Sequence, residues 1–210
     1  MLNEFTPSEK KVFKIMFYKP FDRYSLSYLQ KKSQLSYMSI FRAVKKLKEK
    51  NIVKDVSISG KKFMCLNLEN KKSLKLFELF EVEKQLDFKE KSLVIWKIVN
   101  EISEKSIEKL GQNLSLIILF GSAARKELRK ESDIDILFVV NSKKIAESKI
   151  KDVLSKTYSY RREINPIIIT LKEFIDGIKQ EKDFFKTLWK DRIIFYGESL
   201  FWREVVRCRK

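Results

Sequence analysis

The first seventy residues combine a helical hydrophobic pattern with a shorter, β-type pattern. Val12, Phe13 and Met16 recur at helical spacing behind a Thr6–Glu9 capping box, with Pro7 at the first helical position. Two more runs share this period, so the pattern predicts three helices, over about 7–19, 26–32 and 37–50. Two apolar runs then flank a Ser-Gly-Lys turn and predict a β-hairpin over 52–57 and 63–68.

Helical periodicity continues beyond residue 70, and the pattern changes after Gly111. Helices over 71–86 and 89–108 are expected to act as a connector rather than a domain. Short apolar runs then predict four strands, at 114–120, 132–140, 164–170 and 193–196, with helices between the later ones. We expect two domains: an α+β domain at 1–70 and, after the connector at 71–108, an α/β domain with a small mixed sheet at 109–197. A basic tail at 198–210 is expected to dock on the body.

Composition excludes several classes of site. The chain has no histidine, which removes Ser-His and Cys-His catalysis as well as His-ligated zinc. Its two cysteines lie far apart, and no apolar run approaches the ~20 residues that a membrane span needs. We therefore expect a soluble, cytoplasmic protein without a membrane partner.

Positive charge is concentrated at the N-terminal end. The chain holds 45 Lys and Arg residues against 28 Asp and Glu residues, a formal net charge of +17, and residues 1–70 alone carry 15 basic and 6 acidic groups. Such a surface attracts polyanions, which favours a nucleic-acid partner. A generally Lys-rich proteome would also raise the total.

Two short motifs carry the candidate chemistry. Gly121-Ser122 follows the first strand of the second domain, and Asp133-Ile134-Asp135 begins the next strand. Alternate residues of a strand share a face, so the two carboxylates project together and repel each other unless a cation binds. Mg²⁺ prefers oxygen ligands combined with substrate phosphates, and a Gly-Ser turn before a helix, predicted at 123–129, suits a phosphate. The motifs therefore predict a metal and phosphate site.

The runs Gly121-Ser122-Ala123-Ala124-Arg125 and Ser132-Asp133-Ile134-Asp135 resemble the signature of the polymerase β-like nucleotidyltransferase superfamily. The minimal nucleotidyltransferases of bacteria and archaea are the most similar group. The resemblance implies transfer of a nucleotide, most often AMP from ATP or another nucleoside triphosphate, to an acceptor hydroxyl. It also implies two Mg²⁺ ions on Asp133 and Asp135, with the phosphates bound at Gly121, Ser122 and Arg125.

One position departs from this family pattern. The resemblance implies a third carboxylate on a later strand, where the chain has Asn165. Asn binds a cation through its carbonyl oxygen but cannot act as a base. Glu163, two residues earlier on the same face, is the candidate substitute and would complete a catalytic set with Asp133 and Asp135. The alternative is a solvated residue at the start of the strand. The sequence favours an active enzyme, and a catalytically inactive protein stays open as the alternative.

The three helices and the hairpin resemble the winged helix-turn-helix domains of bacterial and archaeal transcriptional regulators, with 36–47 similar to their recognition helix. Ile40, Val44 and Leu47 are expected to face inward. The candidate double-stranded DNA contacts are Tyr37, Ser39, Arg42 and Lys46 in the major groove, and Lys61 and Lys62 at the wing tip. Such domains also serve in protein interaction or dimerisation, and that alternative stays open.

Together these features predict a Mg²⁺-dependent nucleotidyltransferase that a winged helix tethers to DNA or to a partner. The sequence does not identify the acceptor. The alternative is a DNA-binding regulator or an antitoxin-like protein whose nucleotidyltransferase domain senses nucleotide or is inert. A toxin-like protein partner, structured RNA and a homodimer stay open as further interactions.

Overall fold

The computed structural model describes residues 4–125, 133–157, 162–180 and 182–208. The chain forms two compact units, residues 1–80 and residues 81–210. The boundary falls inside a helix that the sequence assigned to the connector, so each unit contains part of that helix. Within the described ranges, no helix combines the length and the apolar character that crossing a membrane requires.

Unit 1 has the predicted three helices followed by a hairpin. Its elements are α1 (Pro7–Phe17), α2 (Leu26–Ser33), α3 (Tyr37–Glu49), β1 (Val53–Ile58), β2 (Lys61–Leu66) and the first part of α4 (Lys71–Lys91). Each of the first three helices begins with a hydroxyl N-cap that accepts a backbone hydrogen bond: Thr6, Ser25 and Ser36. Thr6 and Glu9 form the predicted capping box. With these caps, the three helices begin where the sequence predicts.

The core of unit 1 lies where the apolar faces of α1, α2 and α3 meet. Its fully buried side chains include Val12, Met16, Leu29, Ile40 and Leu47. Aromatic residues of α4 extend this core, since the ring of Phe13 lies 5.6 Å from that of Phe77 and 4.8 Å from that of Phe80. The start of α4 is therefore part of unit 1.

The hairpin is joined to the segment between α1 and α2. β1 and β2 pair antiparallel from Val53↔Leu66 to Ile58↔Lys61. Tyr24 and Met64 form a further antiparallel bridge, in which each N–H donates to the other's carbonyl at 2.8 Å. The Tyr24 hydroxyl also donates to the carbonyl of Lys19 at 2.7 Å. These bonds connect β2 to the helical part of unit 1.

Unit 2 is built around a four-stranded mixed sheet, as predicted. Its strands are β3 (Leu114–Phe120), β4 (Ile134–Val140), β5 (Ile164–Thr170) and β6 (Ile193–Tyr196), in the order β5-β4-β3-β6. β4 and β5 are parallel, whereas β3 is antiparallel to both β4 and β6. The C-terminal end of β3 and the N-terminal ends of the other strands therefore meet at one end of the sheet, which we call the site end.

Helices cover the sheet on both faces. They are α5 (Leu93–Leu110), the short α6 (Gly121–Arg125), α7 (Lys143–Lys156), α8 (Leu171–Lys179), α9 (Asp183–Asp191) and α10 (Glu198–Cys208). Ile98 and Ile102 of α5 share one buried core with Ile136 of β4. The alternate residues Leu137 and Ile118 are equally buried, and α8 and α10 pack against β4 and β3. The sheet thus separates two apolar layers.

The connector and the tail differ in detail from the sequence expectations, and the hairpin strands are shifted by one or two residues from the predicted 52–57 and 63–68. The connector helices span Lys71–Lys91 and Leu93–Leu110, instead of 71–86 and 89–108, and Phe88 is fully buried where the sequence predicted a break. The tail forms α10, a helix that was not predicted. Phe201, Trp202 and Val205 are buried, so the expected docking of the tail is confirmed. Its last basic residues, 209 and 210, lie outside the described residues.

A buried ion pair connects the first residues of unit 2 to the start of β6. Arg192 donates to Oε1 of Glu81 from Nε at 3.0 Å and from Nη2 at 2.5 Å. Its guanidinium lies 4.5 Å from the centre of the Trp189 ring and 4.8 Å from that of Phe201. Lys84 donates to the backbone carbonyl of Arg192. We call Glu81, Lys84, Trp189 and Arg192 the arginine cluster.

Candidate active site

One row of residues across three strands brings the sequence motifs together at the site end. β3 ends at Phe120, directly before Gly121 and Ser122, and Phe120 pairs with Asp135 of β4. Asp135 in turn pairs with Asn165 across the parallel β4–β5 ladder. Strand register therefore places the Gly-Ser turn, the Asp-x-Asp motif and Asn165 next to one another.

The Asp-x-Asp motif alternates between core and surface as expected. Ile134 and Ile136 are fully buried, whereas Asp133 is exposed and Asp135 is half-buried. Alternation along β4 directs Asp135 away from the core that contains the isoleucines, and Asp133 directly precedes the strand. The start of β4 therefore carries two acidic residues outside the core, and Asp135 is the one next to Gly121.

Gly121 occupies a position that other residues adopt only with strain. Its φ is +73°, and a Cβ at this residue would lie 2.3 Å from Oδ2 of Asp135. The turn backbone therefore approaches the carboxylate more closely than a side chain would allow. The absence of a side chain at Gly121 is therefore what allows the turn and the carboxylate of Asp135 to lie against each other.

Asn165 contacts Asp135 directly. Its Nδ2 donates to Oδ1 of Asp135 at 3.0 Å, so the amide holds one carboxylate oxygen in place. The other oxygen, Oδ2, is the one that faces Gly121. A carboxylate in place of Asn165 would add negative charge beside Asp135, whereas the neutral amide adds a hydrogen bond instead.

Glu163 lies beside the start of β4, but it does not complete a carboxylate cluster. Its backbone carbonyl accepts a hydrogen bond from the N–H of Ile134 at 2.9 Å, and its side chain is exposed. Among the residues that the structure describes, no group of three or more Asp, Glu, His or Cys side chains is arranged to hold a metal ion. The role of Glu163 as a catalytic carboxylate stays a prediction.

The donor set at the site end is nevertheless chemically suited to Mg²⁺. Asp133 and Asp135 supply carboxylate oxygens, and Asn165 supplies a neutral amide. Mg²⁺ keeps several water ligands and is usually bound by one or two carboxylates plus substrate phosphates, rather than by a complete protein cage. Two carboxylates beside the Gly-Ser turn therefore fit a cation of this kind.

Arg125, the third predicted phosphate contact, is paired with a residue that the sequence analysis missed. It is the last residue of α6, and its Nη1 donates to Oδ2 of Asp191 at 2.7 Å. The two residues lie 66 positions apart, and no periodicity or motif connects them. The helix predicted at 123–129 begins two residues earlier, so Gly121 and Ser122 of the Gly-Ser turn are its first residues. Residues 126–129 of that prediction lie outside the described residues.

The predicted DNA contacts lie at the surface of unit 1. Tyr37, Arg42 and Lys46 are exposed on α3, whereas Ile40, Val44 and Leu47 of the same helix are buried, as expected. Ser39 is partly buried, and its hydroxyl lies 2.9 Å from that of Ser36, the N-cap. Lys61 and Lys62 are exposed at the start of β2. Met38 and Phe41 are also exposed on α3.

Comparison with known proteins finds a family match in unit 2. Residues 97–196 match the model of the nucleotidyltransferase domain family, beginning inside α5. A protein of Methanocaldococcus jannaschii named "putative protein adenylyltransferase" is 30% identical over 111 residues, which cover 50% of this chain and 74% of the relative. A crystal structure described as a putative nucleotidyltransferase from Sulfolobus solfataricus is 25% identical in sequence. The match covers 55% of this chain and 86% of the chain in that structure, and its TM-score is 0.33.

The chain belongs to the nucleotidyltransferase family. The family match and the name of the Methanocaldococcus jannaschii relative support a transferase, so the predicted enzyme class is confirmed at this level. The family match covers the sheet, the Gly-Ser turn and the Asp-x-Asp motif, and it does not extend into unit 1.

Gly121→Ala tests whether the close approach at the turn matters. We expect a loss of about 1–3 kcal/mol in the free energy of unfolding from the left-handed backbone alone, and a further loss because Asp135 must move. Denaturant unfolding and nucleotide binding would be measured. Gly60→Ala is the matched control, because Gly60 has φ +76° with no atom within 4 Å of a Cβ. Equal effects of the two substitutions on nucleotide binding would contradict this account.

Proposed function

We propose that the chain is a Mg²⁺-dependent nucleotidyltransferase that moves AMP from ATP to an acceptor hydroxyl. The observation that carries this proposal is the contact geometry at the site end, where Gly121 lies against Asp135 and Asp133 lies two residues away. A backbone turn with no side chain binds phosphate oxygens, and paired carboxylates bind a cation. Unit 2 has both within one row of its sheet.

Each residue at the site end then has a distinct task. The Gly121 backbone and the Ser122 hydroxyl bind the phosphates, and Arg125 neutralises their charge. Asp133 and Asp135 would hold Mg²⁺, which when bound polarises the α-phosphoryl group and stabilises the pyrophosphate leaving group. Asn165 fixes the orientation of Asp135 through its amide. Geometry and charge thus favour attack by an oriented acceptor hydroxyl.

The bond changes are those of a simple displacement. The acceptor oxygen forms a bond to the α-phosphorus, the bond from that phosphorus to the bridging oxygen breaks, and pyrophosphate leaves. The hydroxyl proton goes to a nearby base, and Glu163 is the proposed acceptor of that proton because Asn165 cannot take it. The name of the Methanocaldococcus jannaschii relative supports a protein as the acceptor.

Calorimetry with a non-hydrolysable ATP analogue tests the nucleotide site without knowledge of the acceptor. We expect Mg²⁺-dependent binding to the wild-type chain and its loss in Asp133→Asn/Asp135→Asn, because the substituted amides no longer neutralise the cation. Asp87→Asn/Asp183→Asn is the matched control: it removes the same charge from two exposed positions on α4 and α9. Binding that survives in the site variant, or that is lost equally in the control, would contradict the proposal.

Unit 1 supports a second activity, binding of double-stranded DNA by a winged helix. Three helices, a hairpin and the Tyr24–Met64 bridge occur in the order that this class of domain uses. Arg42 and Lys46 are exposed on α3, the candidate recognition helix, and Lys61 and Lys62 are exposed on the hairpin. A helix for the major groove and a basic hairpin for the phosphates are the two elements that such binding requires.

A candidate DNA-binding unit together with a candidate nucleotide site also fits a regulatory function, which is the second candidate. In that case unit 1 binds DNA and unit 2 senses nucleotide without transferring it. The hydrogen bond between Asn165 and Asp135 favours this candidate, because an amide occupies the position where a carboxylate would serve as a base. Transfer of label from ATP labelled at the α-phosphate to an acceptor separates the two candidates, since a sensor binds the nucleotide but transfers nothing.

Fluorescence anisotropy with a labelled DNA duplex tests the second activity on the full chain. We expect Arg42→Ala/Lys46→Ala to weaken binding and to reduce the slope of log Kd against log salt concentration by about 2, because two cationic contacts are lost. Lys11→Ala/Lys14→Ala, which removes two exposed charges from α1, is the control and should have the smaller effect. Equal weakening by both variants would contradict groove binding by α3.

A further inference from the structure

Asp191 is an almost buried carboxylate at the site end of the sheet. It is the last residue of α9, and its side chain is 8% exposed, whereas that of its partner Arg125 is 34% exposed. Arg125 lies four residues after Gly121 and three after Ser122 on the same short helix. The Asp191–Arg125 ion pair therefore lies one helical turn from the proposed phosphate contacts.

The backbone beside Asp191 is held by the arginine cluster. Its neighbour Arg192 is 2% exposed, is paired with the fully buried Glu81, and lies against the rings of Trp189 and Phe201. Nη1 of Arg192 also donates to the carbonyl of Trp189 at 2.5 Å. The β3–β6 pair Leu119↔Ile193 fixes the next residue of the chain to the sheet. Asp191 therefore projects from one of the most constrained segments of unit 2.

The charges around Asp191 alternate in sign. The pKa of Lys84 is lowered to about 8, chiefly by burial and also by the charge of Arg192, whereas the carboxylates of Glu81 and Asp191 oppose the shift. Asp191 is therefore electrostatically coupled to the arginine cluster on one side and to Arg125 on the other. Lys84, Arg192 and Arg125 are the three cations that interact with the carboxylates of Glu81 and Asp191.

A contribution to folding stability does not by itself explain the Arg125–Asp191 ion pair. An ion pair with a partner that is one-third exposed contributes little to folding, whereas removing a carboxylate from water has a cost. A long Arg side chain at a helix end samples many rotamers, and ordering it when a ligand binds reduces affinity. A buried carboxylate that already holds the guanidinium removes that ordering cost. The pair is thus better suited to orienting Arg125 than to stabilising the fold.

We propose that Asp191 is a positioning residue for nucleotide binding: its carboxylate holds the guanidinium of Arg125 beside the Gly121–Ser122 turn. This inference rests on the proposed function, because Arg125 is assigned there to the phosphates. It adds a residue that lies outside both sequence motifs. It also assigns the arginine cluster a role, which is to hold the chain at Asp191 in place.

A double-mutant cycle on the full chain tests this inference. The Kd of a non-hydrolysable ATP analogue with Mg²⁺ would be measured for wild type, Asp191→Asn, Arg125→Ala and the double variant. We expect Asp191→Asn to weaken binding about three- to tenfold in the wild-type background and to have no further effect once Arg125 is alanine. Asp183→Asn, which removes an exposed carboxylate from the start of α9, should bind like wild type.

The other outcomes separate this inference from the proposed function. Unchanged binding in Asp191→Asn, or an equal loss with and without Arg125, would overturn the positioning role while the nucleotide site stands. No binding by the wild-type chain would overturn both. Thermal unfolding is followed for every variant, and Asp191→Glu, which keeps the charge but moves the carboxylate, replaces Asp191→Asn if the latter fails to fold. Wild-type affinity in a folded Asp191→Glu would also contradict a role that depends on position.

Discussion

The register between β3, β4 and β5 is the constraint on which the candidate site depends. It pairs Phe120 with Asp135 and Asp135 with Asn165, and so sets the Gly121 backbone against a carboxylate. A slip of one residue would turn Asp135 into the core and Ile134 or Ile136 out of it. Burial of the isoleucines therefore holds the acidic side chains at the surface, so the same apolar packing that stabilises the sheet also orients the site.

A second constraint is the buried Arg192–Glu81 pair. Breaking such a pair by removing one partner typically costs about 3–5 kcal/mol, because the remaining charge stays buried. The pair joins α4 to the segment between α9 and β6, and Arg192 directly follows the residue that contacts Arg125. Two features therefore constrain residues at the site end. The strand register positions the Asp-x-Asp motif, and the arginine cluster constrains the backbone next to Asp191, the residue that contacts Arg125.

Local signals in the sequence were sufficient for much of this architecture. The capping box at Thr6, the alternation around Ile134 and the turn at Gly121 each depend on neighbours within a few residues, and the structure has all three. The Arg125–Asp191 and Glu81–Arg192 pairs join residues 66 and 111 positions apart, and only the tertiary fold brings them together.

The tail was predicted only in part. Its mixture of aromatic and basic residues predicted docking but not a helix, although Phe201, Trp202 and Val205 lie at helical spacing and are buried on α10. Asn165 is an intermediate case. The resemblance predicted that it stands where the family pattern has a carboxylate, but its hydrogen bond to Asp135 depends on the parallel pairing of β4 with β5.

The proposed function requires the site end to bind a nucleoside triphosphate together with a divalent cation. A crystal structure of the full chain with Mn²⁺ and a non-hydrolysable ATP analogue tests this most directly, because anomalous scattering locates the cation. We expect Mn²⁺ on the carboxylates of Asp133 and Asp135, with the triphosphate against Gly121 and Ser122. Nucleotide bound elsewhere, or bound at this end without a cation on those carboxylates, would contradict it.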